Sequence, residues 1–287
     1  VGSHIGGYTG FTVALEGLKF NGTDEVVVKV DNKHNESIPP LTGDFTFFGG
    51  LYRNVSLVVL NQAHFSDETY GTNGVYIHAD KVSDKSATLN INANLVNKAA
   101  AKQLLVTTTL VDAKANKVGE AKWLSSVPLA KNISLQLPKI EVKNPKLWSP
   151  ENPYLYQAIT KLIEYQTGKV LDEVKTNVGF RYFSFDADKG FFLNGKSVKL
   201  IGASRHQDFA KMGNAVPSAL QIKDVELLKE MGGNYLRVAH YPQDQAVLDA
   251  CDRLGILTSV EIPIVNEITE TETFYANCKA MQLEMIK

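Results

Sequence analysis

The chain has 287 residues, of which 44% are hydrophobic and 21% are charged, a balance typical of globular domains with apolar cores. Its 30 basic and 31 acidic residues nearly cancel, so the charge indicates neither nucleic acid nor an anionic membrane as a partner. The two cysteines, Cys251 and Cys278, are too few for a disulfide framework, and we predict that both are buried free thiols.

Residues 1–61 carry a β-type pattern of side chains. Val26, Val28 and Val30 recur at every second position, which puts them on one face of an extended strand. Glycine, proline and asparagine separate the strand-like segments, which are residues 25–31, 45–48 and 51–60. About four strands in so short a region are few for an independent β-sandwich, so we expect this region to be the last part of a larger domain.

Residues 62–178 contain a regular series of strand-like segments with polar connections between them. The predicted strands are residues 75–82, 87–96, 104–111, 118–127, 132–142, 155–165 and 169–178. This spacing favours an immunoglobulin-like β-sandwich, without the inter-sheet disulfide of antibody domains because the region has no cysteine. No residue in the region suggests chemistry, and we interpret it as a spacer.

From residue 179 onward the pattern changes to an alternation of strands and helices. Strands are predicted at residues 197–203, 234–238 and 255–260, and helices at residues 218–231, 243–254 and 273–287. Ser218 and Gln221 have the spacing of a capping box at the start of the first helix. Because strands that alternate with helices form parallel sheets, we predict the first βα units of a (β/α)8 barrel.

Two sequence motifs are long enough to indicate a family. Residues 234–242 read Asn-Tyr-Leu-Arg-Val-Ala-His-Tyr-Pro, and residues 43–55 read Gly-Asp-Phe-Thr-Phe-Phe-Gly-Gly-Leu-Tyr-Arg-Asn-Val. Together with segments 4–11 and 178–181, they occur in the order found in glycoside hydrolase family 2, and the chain resembles the β-galactosidases of that family. The resemblance implies a multidomain β plus α/β protein with a partial jelly-roll sugar-binding domain over residues 1–61, an immunoglobulin-like β-sandwich over 62–178 and the first part of a TIM-barrel catalytic domain over 179–287.

Several polar side chains end or follow the predicted barrel strands: Arg237, Glu261, His206 and His240. Barrel enzymes place their chemistry at the carboxyl ends of their strands, so we expect these four side chains to converge. The resemblance implies that Arg237 supports the catalytic nucleophile, that His206 and His240 contact the sugar, and that Glu261 lines the substrate-binding pocket. Asp44 matches an aspartate of the sugar-binding domain that contacts substrate hydroxyls, although a Gly-Asp pair is also an ordinary turn.

The resemblance also implies a retaining mechanism, in which two carboxyl groups about 5–5.5 Å apart act as nucleophile and acid/base. The family's second signature, Trp-Gly/Ser-x-x-Asn-Glu, is not present, so both glutamates are expected beyond Lys287 and this chain alone is expected to be inactive. Asn266-Glu267 ends like that signature but lacks its tryptophan, and we assign it no catalytic role. We interpret Arg205 as structural, because alternation at the strand end directs it away from His206.

The leading hypothesis is a retaining β-galactosidase that binds a β-linked galactoside or a related oligosaccharide. A β-glucuronidase of the same family is the nearest alternative, and a non-catalytic carbohydrate-binding module is a further one, against which the βα units argue. Residues 262–270 lack the magnesium-ligand pattern of related galactosidases, so we predict neither a metal nor a cofactor. Oligomeric state, with a homo-oligomer as one option, and a periplasmic or secreted compartment are left open.

Overall fold

The structure is a computed structural model that describes residues 2–15, 17–66, 70–100 and 102–287. Between residues 63 and 178 it consists of antiparallel strands, and each strand predicted there is present. Their bounds are β1 Ala63–Phe65, β2 Val75–Asp80, β3 Ser86–Asn97, β4 Lys102–Val111, β5 Lys117–Val127, β6 Ala130–Gln136, β7 Ile140–Lys143, β8 Tyr156–Glu164 and β9 Val170–Val178. The predicted strand 132–142 is divided into β6 and β7 around Pro138, because proline has no N–H with which to continue the ladder.

These strands form two sheets. In the 5-stranded sheet β3 pairs with β1, β2, β6 and β7, and the 4-stranded sheet has the order β5-β4-β8-β9. The core between them contains fully buried side chains of β3, β4 and β8, among them Leu89, Ile91, Leu104 and Leu162. Along β8 the buried residues alternate with half-buried ones, as expected where one face of a sheet covers a core. The predicted immunoglobulin-like sandwich is therefore confirmed.

Beyond residue 182 a short three-stranded antiparallel sheet precedes three βα units. The elements are β10 Phe183–Asp186, β11 Gly190–Leu193, β12 Lys196–Ser197, β13 Gly202–Arg205, α1 Ser218–Glu230, β14 Tyr235–Val238, α2 Gln245–Leu254, β15 Leu257–Val260 and α3 Glu272–Ile286. Strands β13, β14 and β15 form a parallel sheet in that order. Val225, Leu236, Val247 and Cys251 pack in one buried cluster between this sheet and the helices. Cys251 and Cys278 are both buried free thiols, as predicted, and burial raises the pKa of Cys251 to about 12.

The first parallel strand differs from its prediction. It begins at Gly202 rather than at residue 197, because residues 196 and 197 form strand β12, which pairs with β11 in a hairpin. The hairpin turn is Asn194-Gly195, where φ is 51° and 75°, and this dipeptide was the overlooked sequence signal. At Gly202 a Cβ atom would lie 1.6 Å from the backbone oxygen of Tyr235, so only glycine allows the two strands to approach this closely.

The capping box predicted at the start of α1 is wrong. Pro217 is the N-cap residue, and no side chain caps the helix. The Ser218 hydroxyl instead donates to Asp244 at 3.1 Å, while Asp244 caps α2 by accepting from the Ala246 N–H at 2.8 Å. The serine therefore belongs to the cap of the neighbouring helix, which joins the starts of α1 and α2.

The segment of residues 2–61 contains no paired strand in the parts that the structure describes. The strands predicted at residues 25–31, 45–48 and 51–60 are therefore not formed, since a strand requires a neighbour to pair with. Val26, Val28 and Val30 are 61%, 54% and 48% exposed. The segment is tied to α3, where the amide of Asn277 donates to the Ser37 carbonyl at 2.7 Å.

A buried joint connects the sandwich to the α/β part of the chain. Trp148 is 1% exposed, and its Nε1–H donates to the backbone oxygen of Asp252 in α2 at 2.8 Å. The guanidinium of Arg181 lies 4.6 Å from the centre of the Trp148 ring, and burial lowers the pKa of Arg181. Lys229 of α1 donates to the Pro150 carbonyl at 2.8 Å. Among the described residues, no helix is both long and apolar enough to span a bilayer.

Candidate active site

The parallel sheet brings the predicted site residues to one edge. Arg237 lies in β14 opposite Ser259 of β15, and Glu261 directly follows β15. His206 directly follows β13, and His240 lies two residues after the end of β14. Because the three strands are parallel and in register, these side chains all lie at the carboxyl ends, here called the rim.

An ion pair forms the centre of the rim. Arg237 Nε donates to Glu261 Oε1 at 2.5 Å and its Nη2 donates to Oε2 at 3.0 Å, so that both carboxylate oxygens are occupied. Burial alone would raise the pKa of Glu261, but the hydrogen bonds and charge of Arg237, with a contribution from His240, outweigh it and lower that pKa. The hydrogen bonds and charge of Glu261 in turn raise the pKa of Arg237. Glu261 is therefore ionised and unsuited to act as a proton donor at neutral pH.

His240 adjoins this pair through one ring nitrogen. Its Nδ1 lies 3.1 Å from Arg237 Nη2 and 3.3 Å from Glu261 Oε2. The unprotonated Nδ1 accepts from the arginine, whereas the protonated Nδ1 donates to the carboxylate, so the two bonds exclude one another. The tautomer of His240 is thus linked to the ion pair, and in either case its Nε2 is free of that link. The Ala239–His240 peptide bond is cis.

His206 lies against His240, with ring centroids 5.1 Å apart. Its Nδ1 is 3.4 Å from the hydroxyl of Tyr241. Burial, together with the nearby His240, lowers the pKa of His206, while the carboxylates of Asp208 and Asp44 oppose that shift. The imidazole is therefore neutral at pH 7 and offers one donor and one acceptor to a ligand.

Asp44 reaches the rim from the N-terminal segment. Its charge acts on His206, and the neighbouring Phe45 ring lies 5.1 Å from the His206 ring and 5.8 Å from the His240 ring. Asp44 is exposed and makes no side-chain hydrogen bond with any residue that the structure describes. Its carboxylate is consequently available to a ligand at the rim, next to an aromatic wall formed by Phe45.

Arg205 faces away from the rim, as predicted. It is buried, its Nη2 lies 2.8 Å from Asp224 of α1, and it also donates to Gln243. The Gln243 amide donates to the carbonyls of Arg205 and Ala239. This network joins the ends of β13 and β14 on the side of the sheet that faces α1, and so supports the loops that carry the two histidines.

The sequence analysis overlooked two residues that lie against these loops. Tyr8 is buried and its ring stacks on that of Tyr241, with centroids 4.2 Å apart. Arg53 donates to the carbonyls of Tyr8 and Pro242, at 2.7 Å and 2.6 Å. The available signal for Arg53 was its position as the single charged residue in the run of residues 45–60.

The rim offers hydrogen-bonding groups of several kinds at short range. Neutral imidazoles can donate to or accept from hydroxyl groups, and free carboxylates can accept from them. Across the described parts of the chain, no group of three or more His, Cys, Asp or Glu side chains is arranged to hold a metal ion. The hydrogen-bond donors and acceptors of the rim, which lie beside the Phe45 ring, suit a polyhydroxylated ligand such as a sugar.

Residues 72–181 match the sequence profile of glycosyl hydrolases family 2, and residues 187–282 match the profile of that family's TIM-barrel domain. This chain belongs to glycosyl hydrolase family 2. The profile matches and the solved structures confirm the predicted family 2 architecture; the two profiles cover the immunoglobulin-like part and the start of the TIM barrel, and residues 2–61 precede both.

Relatives with two kinds of name are similar to the chain. It is 39% identical over 286 residues to a putative β-glucuronidase of Formosa agariphila, covering 99% of this chain and 33% of that protein. It is 36% identical over 269 residues to a β-galactosidase of Thermoanaerobacter pseudethanolicus, covering 92% of this chain and 34% of that protein. The chain thus spans about a third of the length of these relatives.

Solved structures are similar as well. The crystal structure of Bacteroides uniformis β-glucuronidase superposes with a TM-score of 0.86 at 39% identity, covering 90% of this chain and 31% of that one. A putative β-galactosidase from Bacteroides fragilis superposes with a TM-score of 0.85 at 31% identity, covering 90% of this chain and 38% of that one. Family membership is therefore supported by both sequence and fold.

Proposed function

We propose that this chain supplies the sugar-binding rim of a retaining family 2 enzyme that removes a terminal β-linked sugar. The observation that carries the proposal is the cluster of Arg237, Glu261 and His240 beside His206, at the carboxyl ends of adjacent parallel strands. In this proposal His206 and His240 bind sugar hydroxyls, and the exposed Asp44 accepts from a further hydroxyl. Family membership supports it because the family hydrolyses glycosides.

Arg237 has a different role in the proposal. A retaining enzyme needs an ionised carboxylate nucleophile, and a fixed cation beside it favours the ionised form. Glu261 holds Arg237 through a bidentate contact, and that contact fixes the orientation of the guanidinium. We do not assign the acid/base role to Glu261, because its pKa is lowered, and we do not assign it the role of nucleophile, because both its oxygens accept hydrogen bonds from Arg237.

The sugar is proposed to be a β-galactoside. Asp44 and Asp208 both act on His206, and Glu261 already neutralises Arg237, so the immediate surroundings of the rim carry an excess of negative charge. A neutral sugar is compatible with that charge, whereas the carboxylate of a glucuronide would be repelled. A β-glucuronide is the second candidate, and the observations in its favour are the names of the Formosa agariphila relative and of the Bacteroides uniformis structure.

Ligand binding by the 287-residue chain tests both candidates. Galactono-lactone and glucaro-lactone resemble the flattened sugar of the transition state, and calorimetric titration measures the affinity of each. We expect galactono-lactone to bind more tightly, and His206→Gln to weaken it by roughly ten-fold through loss of a hydrogen bond to the ligand.

A matched histidine serves as the control for that experiment. His64 is buried in the sandwich, where its Nδ1 lies 2.6 Å from the Asn61 carbonyl, and it is not part of the rim. His64→Gln should leave the lactone affinity unchanged. Tighter binding of glucaro-lactone would make a glucuronide, rather than a galactoside, the proposed substrate. Lactone affinity that is unchanged by both histidine substitutions would refute the proposed rim.

A further inference from the structure

One arginine of the N-terminal segment contacts both loops that carry the rim histidines. Arg53 Nη2 donates to the side-chain oxygen of Gln207 at 2.9 Å and to the backbone oxygen of Pro242 at 2.6 Å. Gln207 directly follows His206, and Pro242 lies two residues after His240. A single guanidinium therefore joins the loop after β13 to the loop after β14.

The same guanidinium also holds the stacked tyrosines beside these loops. Arg53 Nη1 donates to the Tyr8 carbonyl at 2.7 Å, and the Tyr8 ring stacks on Tyr241 at 4.2 Å. The Tyr241 hydroxyl in turn lies 3.4 Å from His206 Nδ1. Displacement of Arg53 would thus release both the backbone of the loops and the side chain that His206 contacts.

The surroundings of Arg53 are costly for a cation. Burial lowers its pKa, although nearby Tyr52 and Asp244 oppose the shift, and its Nε is buried without a partner among the described residues. Within the described chain no carboxylate lies within 4.0 Å of it, whereas Arg205 and Arg237 each have one. Its partners are oxygens on separate segments, which the rigid, planar fork of arginine can span and the single ammonium of lysine cannot.

We propose that Arg53 is a positioning residue, which sets the loops after β13 and β14 so that His206 and His240 face one bound sugar. The inference rests on the proposed function, because the relative placement of two histidines has a consequence only if both bind the same ligand. It differs from a role in folding alone, since it requires that loss of Arg53 alters ligand affinity and the His206 titration in a chain that is still folded.

The test compares Arg53→Met with Arg181→Met in the full chain. Arg181 is a matched control because its pKa is also lowered by burial, but it lies on Trp148 at the joint of the sandwich, away from the rim loops. Three quantities are measured: the melting temperature, the affinity for galactono-lactone, and the titration of His206 by NMR, assigned with His206→Gln.

We expect both substitutions to lower the melting temperature and only Arg53→Met to alter the site. The lactone should bind roughly ten-fold more weakly, because a shift of a contacting group by about 1 Å can cost up to about 10²-fold. The pKa of His206 should rise toward its ordinary value as water enters the loosened loops. Arg53→Lys retains the charge but can donate to fewer of these oxygens, so it should give an intermediate result, and it also carries the test if Arg53→Met does not fold.

The inference is overturned if the folded Arg53 variants leave both the lactone affinity and the His206 titration as in the unaltered chain. The same conclusion follows if Arg181→Met changes these two quantities equally. If the unaltered chain binds neither galactono-lactone nor glucaro-lactone, the proposed function fails. The titration of His206 in the Arg53 variants then still tests whether Arg53 sets the loop after β13, because it requires no ligand.

Discussion

The sandwich of residues 63–178 and the segment of residues 2–61 differ in how their backbone is paired and how much of their apolar surface is buried. In the sandwich, strand ladders satisfy the backbone, and a large cluster of fully buried side chains fills the space between two sheets. The described part of the N-terminal segment has no paired strand, and its buried hydrophobic side chains are Tyr8 and Leu41. Yet Asp44, Phe45 and Arg53, which complete the rim, belong to the weakly held segment. The largest core and the ligand contacts proposed for the N-terminal segment therefore lie in different parts of the chain.

The largest expected effect separates the two regions by their packing. Leu162 is fully buried between the sheets, so Leu162→Ala should lower the free energy of unfolding by about 2–5 kcal/mol. Val28 is 54% exposed, and Val28→Ala should change it by less than about 0.5 kcal/mol. Urea denaturation measures both. Equal losses would mean that the N-terminal segment has a packed core of its own in solution.

A smaller effect is expected where the segment docks on the α/β part. Tyr8→Ala removes a buried ring that stacks on Tyr241, and the free energy of unfolding should fall by about 1–3 kcal/mol. Hydrogen exchange should become faster in the residues around Arg53 and around His206, while the sandwich strands keep their protection. Exchange that is unchanged at Arg53 would show that the segment is attached by other contacts.

The ion pair of the rim predicts a still smaller effect, which depends on pH. The pKa of Glu261 is lowered in the folded chain, so its contribution to stability is present above the unfolded value of about 4.3 and is lost as the pH falls through the folded value. In Arg237→Met the burial and the contribution of His240 remain without the cation, so the pKa of Glu261 should rise. Carbon NMR of the glutamate carboxyls, assigned with Glu261→Gln, measures the shift, and an unaltered Glu261 titration in Arg237→Met would contradict the assigned cause.

The regular parts of the fold were predictable because their side-chain periods are local properties of the sequence. Period two marked the sandwich strands, and the alternation of strands and helices marked the parallel sheet on which Arg237 and His206 converge. The absence of strand pairing at residues 25–31 was not predictable, because a strand pattern in the sequence does not show whether a partner strand is available. The contacts of Arg53 were likewise hidden, since they join positions separated by 45, 154 and 189 residues, a property of the folded chain alone.

The last prediction concerns the residue whose loss should alter stability least. Asp44 is exposed and makes no side-chain hydrogen bond within the described part of the chain, so Asp44→Asn should leave the melting temperature unchanged. The substitution removes a charge that opposes the lowering of the His206 pKa, so that pKa should fall further.

If Asp44 accepts from a sugar hydroxyl, as proposed, galactono-lactone should bind several-fold more weakly to Asp44→Asn, since hydrogen bonds to a charged group contribute about 1.5–3 kcal/mol and the amide retains part of that. Asp24 provides the control, because it lies in the same segment and its bonds to described residues are those with the backbone of Lys19 and Phe20. Equal affinities for Asp44→Asn and Asp24→Asn would return Asp44 to the role of an ordinary turn residue, and the rim would then be formed by the α/β part of the chain without it.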